Sequence, residues 1–232
     1  MHVAAIIAAA GRGLRLGADR PKQFLDLGGQ PMLDMSVAAL AASDRVNEII
    51  VALPAEHVAT TAAAWSGRFA KPVTCVAGGA RRQDSVASAF AHVSPGTDVV
   101  LVHDAARPFV STAVIARTVD AALRHGAAIA AIAVRDTVKH APAAADGGDR
   151  QIAATLARDE IFLAQTPQAF RREVFARTLD AAGGADATDE AMLAERAGVA
   201  VHLVDGDVAN IKITTADDLA TAKAVALHAA RN

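Results

Sequence analysis

The chain has 232 residues, 53% of them hydrophobic, enough for one large or two small cores, and a single globular domain is the expected organisation. With 23 Lys and Arg against 25 Asp and Glu, the net charge is −2, so no overall basic field draws the chain to nucleic acid or to an anionic membrane. Any anion binding must therefore be local, and an aromatic content of 3% with no Tyr argues against a base-stacking platform for single strands.

The lone cysteine, Cys75, lies in the apolar stretch Pro72-Val-Thr-Cys-Val-Ala77, permits no intramolecular disulfide and reads as a buried thiol in a reducing cytoplasm. The longest apolar runs fall short of the roughly 18 residues that a spanning helix needs. The N-terminus lacks a charged region before its apolar run, so no signal peptide is expected and a cytoplasmic protein is.

In chain order, an apolar run at 2–8 predicts a strand, and 32–42 a helix. A strand at 48–53, a helix at 56–65, a strand at 73–77, a helix at 82–92, a strand at 98–102, a helix at 111–124 and a strand at 128–134 follow. This alternation implies βαβ units and an α/β fold with a parallel sheet covered on both faces. Ser111 is placed to cap the fourth helix and Gly126 to end it.

After Val134 the rhythm breaks. Residues 137–156 read as a protruding hairpin arm, with Asp146-Gly147-Gly148 suited to its turn; a disordered surface loop is the competing reading. Helical patterns resume at 171–182, 188–197 and 216–230.

In open α/β sheets ligands bind beyond the carboxyl ends of the strands, which directs attention to the loops there. In the first, Gly11 and Gly13 begin a dinucleotide fingerprint, but the third glycine, Gly17, comes one residue late, and no phosphate-loop spacing exists. What remains is a glycine-rich backbone joined to Arg12, Arg15, Arg20 and Lys22, a charge density suited to a triphosphate, against a reading as solvated surface charge. In the third loop, Gly78 and Gly79 let the backbone approach a flat ligand such as a base, with the hydroxyl of Ser85 nearby; a tight turn alone is the alternative. In the fourth, Asp104 follows an apolar strand directly. It is a candidate to hold Mg²⁺ through substrate phosphates, or to pair with Arg107 and brace the loop.

Further on, Thr137, Lys139, Arg158, Thr166 and Lys212 offer hydroxyls and cations for a second anion site. Thr188 and Thr215 are more simply helix caps, and His57, His92, His125 and His228 lack metal-ligand spacing.

Taken together, Ala9-Ala-Gly-Arg-Gly-Leu-Arg15, Pro21-Lys-Gln23, Gly78-Gly79, Asp84-Ser85, His103-Asp-Ala-Ala-Arg-Pro108, Arg135-Asp-Thr137, Thr166-Pro-Gln168, Thr188-Asp-Glu190 and Asn210-Ile-Lys-Ile-Thr214 carry a resemblance. Along nearly its whole length the chain resembles the 2-C-methyl-D-erythritol 4-phosphate cytidylyltransferases of non-mevalonate isoprenoid synthesis. The resemblance implies one Rossmann-like nucleotidyltransferase domain over 1–232, with a mostly parallel sheet and an arm at 137–156. It implies cytidylyl transfer from CTP to methylerythritol phosphate with release of pyrophosphate, using Mg²⁺ or another divalent cation held in part by Asp104.

By the same resemblance Arg15 and Lys22 stabilise charge on the phosphates, Lys212 and Arg158 position the substrate phosphate, and Arg107, Thr137 and Thr166 lie nearby. Ala9, Ala10, Gly11, Gly13, Gly78, Gly79, Ser85 and Ala105 are implied to bind the nucleotide. The arm is implied to clasp a second subunit in a homodimer, with Arg158 serving the neighbour's site, and the second enzymatic domain fused to some relatives is expected to be absent. Ala80 departs from an acidic residue of some relatives. A ribitol-5-phosphate cytidylyltransferase and a non-catalytic nucleotide-binding module are the competing functions; Ala105-Ala106 favours the methylerythritol enzymes over the first, and the joint presence of Arg15, Lys22, Asp104 and Lys212 argues against the second.

Overall fold

The computed structural model describes residues 1–11, 21–143, 147–181 and 186–229. In chain order the regular elements are β1 (Val3–Ala8), α1 (Met32–Ala41), β2 (Glu48–Leu53), α2 (Ala55–Trp65), β3 (Val73–Ala77), α3 (Arg82–Phe90), β4 (Val99–Asp104), α4 (Thr112–His125), β5 (Ala127–Ala133), β6 (Lys139–His140), β7 (Ala154–Thr155), β8 (Phe162–Arg171), α5 (Arg172–Ala181), α6 (Glu190–Arg196), β9 (His202–Asp205) and α7 (Ala216–Ala229).

Seven strands form one sheet in the order β3-β2-β1-β4-β8-β5-β9, parallel except for β8, which runs against both its neighbours. The period of two divides β1 between two cores. Val3, Ala5 and Ile7 face Leu33, Val37 and Leu40 of α1 and Val114, Ile115 and Val119 of α4. Ala4 and Ile6 face Val86 and Ala89 of α3, Phe175 of α5 and Ala194 of α6. Both faces of β1 are thus apolar, which is why it reads as a continuous hydrophobic run. The chain passes from β1 outward to β2 and β3, then returns through α3 to lay β4 on the other side of β1. The first and fourth loops consequently leave the sheet side by side, with Ala8 opposite Asp104.

The sequence expectations miss two strands. Phe162–Arg171 does not look like a central strand because it carries Gln165, Thr166, Pro167 and Gln168; in the fold the side chains of Gln165, Thr166 and Gln168 are buried and hydrogen-bonded. β9 is only four residues long and lies at the sheet edge. The start and stop of α4 are as the sequence suggests: Ser111 Oγ accepts the Val114 N–H at 3.3 Å, and Gly126 has φ 94°. For α6, the cap is Asp189 rather than Thr188, its carboxylate accepting the Met192 N–H at 2.9 Å.

Between β5 and β8 the chain makes its excursion. Lys139 pairs with Thr155 and His140 with Ala154 in an antiparallel ribbon separate from the main sheet, and Leu156 N–H donates to the Val138 carbonyl at 3.0 Å. Asp146 of the expected turn lies outside the described residues. Cys75 is half-buried in β3, and burial pushes its thiol up to about 11, so it has no thiolate character at neutral pH. No helix among the described residues is long and apolar enough to cross a membrane.

Candidate active site

A cavity of about 550 Å³ opens over the carboxyl ends of β1 and β4, lined among others by Ala9, Ala10, Gly11, Lys22, Gly79, Arg82, Ser85, Asp104, Ala105 and Lys212. It is the size of a small-ligand pocket. Its lining draws on the first, third and fourth loops and on the 210–214 segment, with Met32 of α1 beside them. Arg12, Gly13, Arg15 and Arg20 lie outside the described residues.

The first wall is held by Gln23, buried in a single turn at Lys22–Phe24, whose Nε2 donates to the Ala9 carbonyl at 2.7 Å. That turn sets Lys22 facing the cavity, where its Nζ donates to the Ile213 carbonyl at 3.1 Å. The third loop presses against the first so closely that side chains are excluded. A Cβ on Gly78 would stand 2.3 Å from Ala10 Cβ and 2.8 Å from Ser85 Oγ, and one on Gly79 would stand 2.4 Å from Asp84 Cβ. Gly11 differs: among the described residues a Cβ there would meet nothing within 4 Å. The Ser85 hydroxyl is engaged locally, accepting the Gly79 N–H at 3.1 Å and donating to the Arg81 carbonyl at 3.0 Å. It shapes the loop that faces the cavity.

The floor is ionic. Oδ1 of Asp104 accepts from Nε and Nη2 of Arg82 at 3.0 and 2.8 Å, while Oδ2 accepts from Lys212 Nζ at 2.7 Å. Burial opposes ionisation of Asp104, but the charges of Arg82 and Lys212 outweigh it and hold the carboxyl far below the ordinary range, so it is an anion at any working pH. Behind Arg82 lies Glu190, fully buried, both of whose oxygens accept from Nη1 at 2.5 and 2.7 Å. Burial raises the Glu190 carboxyl, and Arg82 offsets part of that rise.

The fourth loop is braced from below. The His103 ring is completely buried, with Nε2 3.0 Å from the Arg107 carbonyl and Nδ1 3.0 Å from Thr166 Oγ1. A carbonyl only accepts, so Nε2 carries the proton, Nδ1 accepts from the Thr166 hydroxyl, and that oxygen accepts the Asp104 N–H at 3.1 Å. Burial pushes the imidazole down to about 4, which keeps it neutral for this relay.

Two expectations change here. Arg107 does not pair its guanidinium with the Asp104 carboxylate; it is buried and donates to the carbonyls of Asn210 and Ala164 at 2.7 and 3.3 Å, because the carboxylate is already taken by Arg82 and Lys212. Thr166 is likewise turned inward and works through the backbone of Asp104. Both hold the loop in place. Arg158 and Thr137 do not line the cavity: both are exposed at the root of the arm, where Arg158 Nη1 donates to the Arg135 carbonyl at 3.2 Å.

Arg82 and Glu190 are the functional candidates that sequence reasoning passed over. A signal existed for the first: cations at a helix N-terminus oppose the dipole, so Arg82 in the first turn of α3 implied compensating carboxylates. Glu190 in the first turn of α6 had a sufficient explanation in that same dipole, which concealed its pairing.

The Asp104 carboxylate fits one coordination bond to a divalent ion. Its Oδ1 lone pairs are occupied by Arg82, Oδ2 retains one beside Lys212, and the side chain lines the cavity. Among the described residues no cluster of three or more His, Cys, Asp or Glu could cage a metal by itself, so the donor set fits an ion brought largely by phosphates and water.

A doubly wound α/β sheet with a cation-lined crevice at its switch point places the chain in the class of open, Rossmann-like α/β folds that bind a ligand beyond the carboxyl ends of their strands. The family model described as IspD, 2-C-methyl-D-erythritol 4-phosphate cytidylyltransferase, matches residues 3–228, and the chain belongs to that family. The 2-C-methyl-D-erythritol 4-phosphate cytidylyltransferase of Acidobacterium capsulatum is 44% identical, with 94% of this chain and 95% of that protein covered. A bifunctional IspD/IspF enzyme of Anaeromyxobacter sp. (strain Fw109-5) is 46% identical over 97% of this chain, which spans 57% of that longer relative. The chain spans little more than half the length of such bifunctional relatives.

Among solved structures, the 2-C-methyl-D-erythritol 4-phosphate cytidylyltransferase of Thermus thermophilus superposes with a TM-score of 0.77 at 34% identity, covering 98% of this chain and 100% of that one. The 4-diphosphocytidyl-2C-methyl-D-erythritol synthase of Anaerococcus prevotii gives 0.82 at 28% identity, covering 97% of each chain.

Proposed function

We propose that the chain transfers the cytidylyl group of CTP to the phosphate of 2-C-methyl-D-erythritol 4-phosphate, giving 4-diphosphocytidyl-2-C-methyl-D-erythritol and pyrophosphate. An oxygen of the acceptor phosphate attacks the α-phosphorus of CTP, a P–O bond forms, and the bond from that phosphorus to the bridging oxygen breaks. The electron pair leaves with pyrophosphate. Such a reaction asks the protein mainly for positioning and for charge placed where charge accumulates.

The observation that carries this reading is the cavity, in which Lys22, Arg82 and Lys212 converge around a single carboxylate below two glycine-lined loops. The close packing of Gly78 against Ala10 leaves a smooth wall for a base and ribose, to which Ala9, Gly11, Gly79, Ser85 and Ala105 contribute. Lys22, with Arg15, takes the charge building on the α-phosphate and leaving group. Lys212 receives the acceptor phosphate. Asp104 supplies the one carboxylate for Mg²⁺, which neutralises phosphate charge when bound. Arg107 and Thr166 keep that carboxylate's loop in place.

Support for a homodimer comes from the arm and its root, where Ile152, Leu156, Phe162 and Leu163 are large, apolar and 40% to 58% exposed. A second copy of the chain covers them, and Arg158 and Thr137 then serve the partner's acceptor site. A cytoplasmic setting suits the single cysteine and a CTP substrate.

The deciding experiment supplies Mg²⁺ and each of the four nucleoside triphosphates with methylerythritol phosphate or ribitol 5-phosphate, and measures pyrophosphate release. CTP with methylerythritol phosphate dominates; equal turnover with ribitol phosphate, or none with any pair, overturns the assignment.

A further inference from the structure

Arg82 is held from both sides, and the way Glu190 reaches it suggests a task that a helix-capping acid does not perform. Glu190 lies at the N-terminus of α6, where an exposed carboxylate would satisfy the helix dipole equally well, yet it has no solvent exposure. Burying a carboxylate is costly unless it is paired. Its partner comes from 108 residues earlier in the chain, and both of its oxygens take the same nitrogen, Nη1 of Arg82. The other two nitrogens of that guanidinium point to one oxygen of Asp104.

The placement of Glu190 is itself secured. Gln168 of β8 receives the Ala191 N–H on Oε1 at 3.0 Å and donates from Nε2 to Asp189 at 2.9 Å, pinning the start of α6 to the sheet. A chain of fixed groups therefore runs from β8 through α6 and the start of α3 to the end of β4, finishing at Oδ1 of Asp104. That leaves Oδ2 turned to Lys212 and the cavity.

We propose that Glu190 is a positioning residue for the transfer: by anchoring Arg82 it fixes the orientation of the Asp104 carboxylate and keeps the Arg82 cation from seizing the nucleotide phosphates. The second part follows from charge. Asp104 and Glu190 together balance Arg82 and Lys212; with Glu190 neutral, the cluster carries one uncompensated positive charge at the cavity floor. A triphosphate binds that charge in the ground state, which strengthens binding without helping the transition state. The inference rests on the reading of the cavity as the CTP site.

Glu190→Gln keeps the size of the side chain and removes its charge. The expected result is a kcat lower by about tenfold with a KM and Kd for CTP that are unchanged or smaller. In an Arg82→Met background the same substitution has less than about a twofold further effect on kcat, since its effect runs through Arg82. Additive losses in the double variant, or a raised KM with normal kcat, overturn the proposal. A readout independent of turnover is the Arg82 Nε–H resonance in ¹⁵N-labelled protein, which exchanges slowly in the parent and is lost to exchange in Glu190→Gln; an unchanged resonance also overturns it. Should Glu190→Gln fail to fold, Arg82→Met/Glu190→Leu removes both partners of the buried pair together, so that neither charge is left uncompensated, and a thermal melt checks its fold. A kcat for that pair equal to the parent's then shows that the anchored guanidinium serves no purpose in transfer. Absence of turnover in the parent with every substrate pair, alongside a protected Arg82 signal, would instead indict the assignment of the reaction.

Discussion

Gly78→Ala isolates the contact between the first and third loops. The added methyl would stand 2.3 Å from Ala10 Cβ and 2.8 Å from Ser85 Oγ, whereas carbons in ordinary contact sit about 3.5–4.0 Å apart. Relief requires the two loops to separate by roughly an ångström. Ser85 has little freedom to yield, because its hydroxyl is tied to the Gly79 N–H and the Arg81 carbonyl, and Gly78 N–H is itself bonded to the Leu53 carbonyl at 2.8 Å. Overpacking of this kind costs about 1–3 kcal/mol. At the low end that lowers Tm by about 2–4 °C for a chain of this size.

On the proposed reading of the cavity as the CTP site, the same separation widens the wall assigned to the base and ribose, and CTP affinity falls by about tenfold or more, equivalent to about 1.4 kcal/mol. Titration calorimetry with CTP reads the affinity and a thermal melt reads the stability. A Gly78→Ala protein that binds CTP as the parent does would refute the argument that these loops form the nucleotide wall. A large fall in Tm with normal affinity would locate the contact in stability alone.

Three other outcomes are expected. Under the proposed reaction, Lys22→Ala lowers kcat far more than it weakens CTP binding, since its assigned charge is needed most as pyrophosphate departs; steady-state kinetics set beside calorimetry separate the two. His103 is neutral in the fold, with a folded value of about 4 against an ordinary 6.5, so between these values the unfolded chain binds the extra proton. Proton uptake by the unfolded chain therefore lowers stability, by about 3 kcal/mol over the whole window, as the pH falls from 6.5 towards 4, and denaturant melts of His103→Gln show a flatter dependence there. Co-expression of an Arg158→Ala chain with a Lys22→Ala chain restores activity in purified heterodimers if Arg158 serves the neighbouring site, and inactive heterodimers would count against it.

The reading of this fold from sequence succeeded where a strand is buried through apolar side chains and faltered where it is buried through hydrogen bonds. β1 and β4 are buried along their length and carry almost unbroken hydrophobic runs, so they were visible. β8 is as central, yet Gln165, Thr166 and Gln168 there are buried against Asp207, His103 and Ala191, partners that no local pattern discloses. The site divides along the same line. Lys22 and Asp104 stood out as charges beside glycines or at a strand end, Lys212 gained its place from the resemblance, and the three line one cavity. Glu190 and Arg82 each had an ordinary local role on a helix, and only folding shows them to be one unit. Arg107 and Thr166 were placed near the acceptor by resemblance alone, and in the fold both are buried and hydrogen-bonded inward.

The reversed strand also decides what kind of appendage the arm is. Because β8 runs opposite to β5, the chain leaves the sheet at Ala133 and re-enters at Phe162, two residues that face each other in register. Departure and return form a single seam. Everything between them is a cassette whose length and tip can change without shifting any strand of the sheet. The seam opens on the rim where the carboxyl ends of the parallel strands gather, so the arm stands on the same side of the sheet as the cavity.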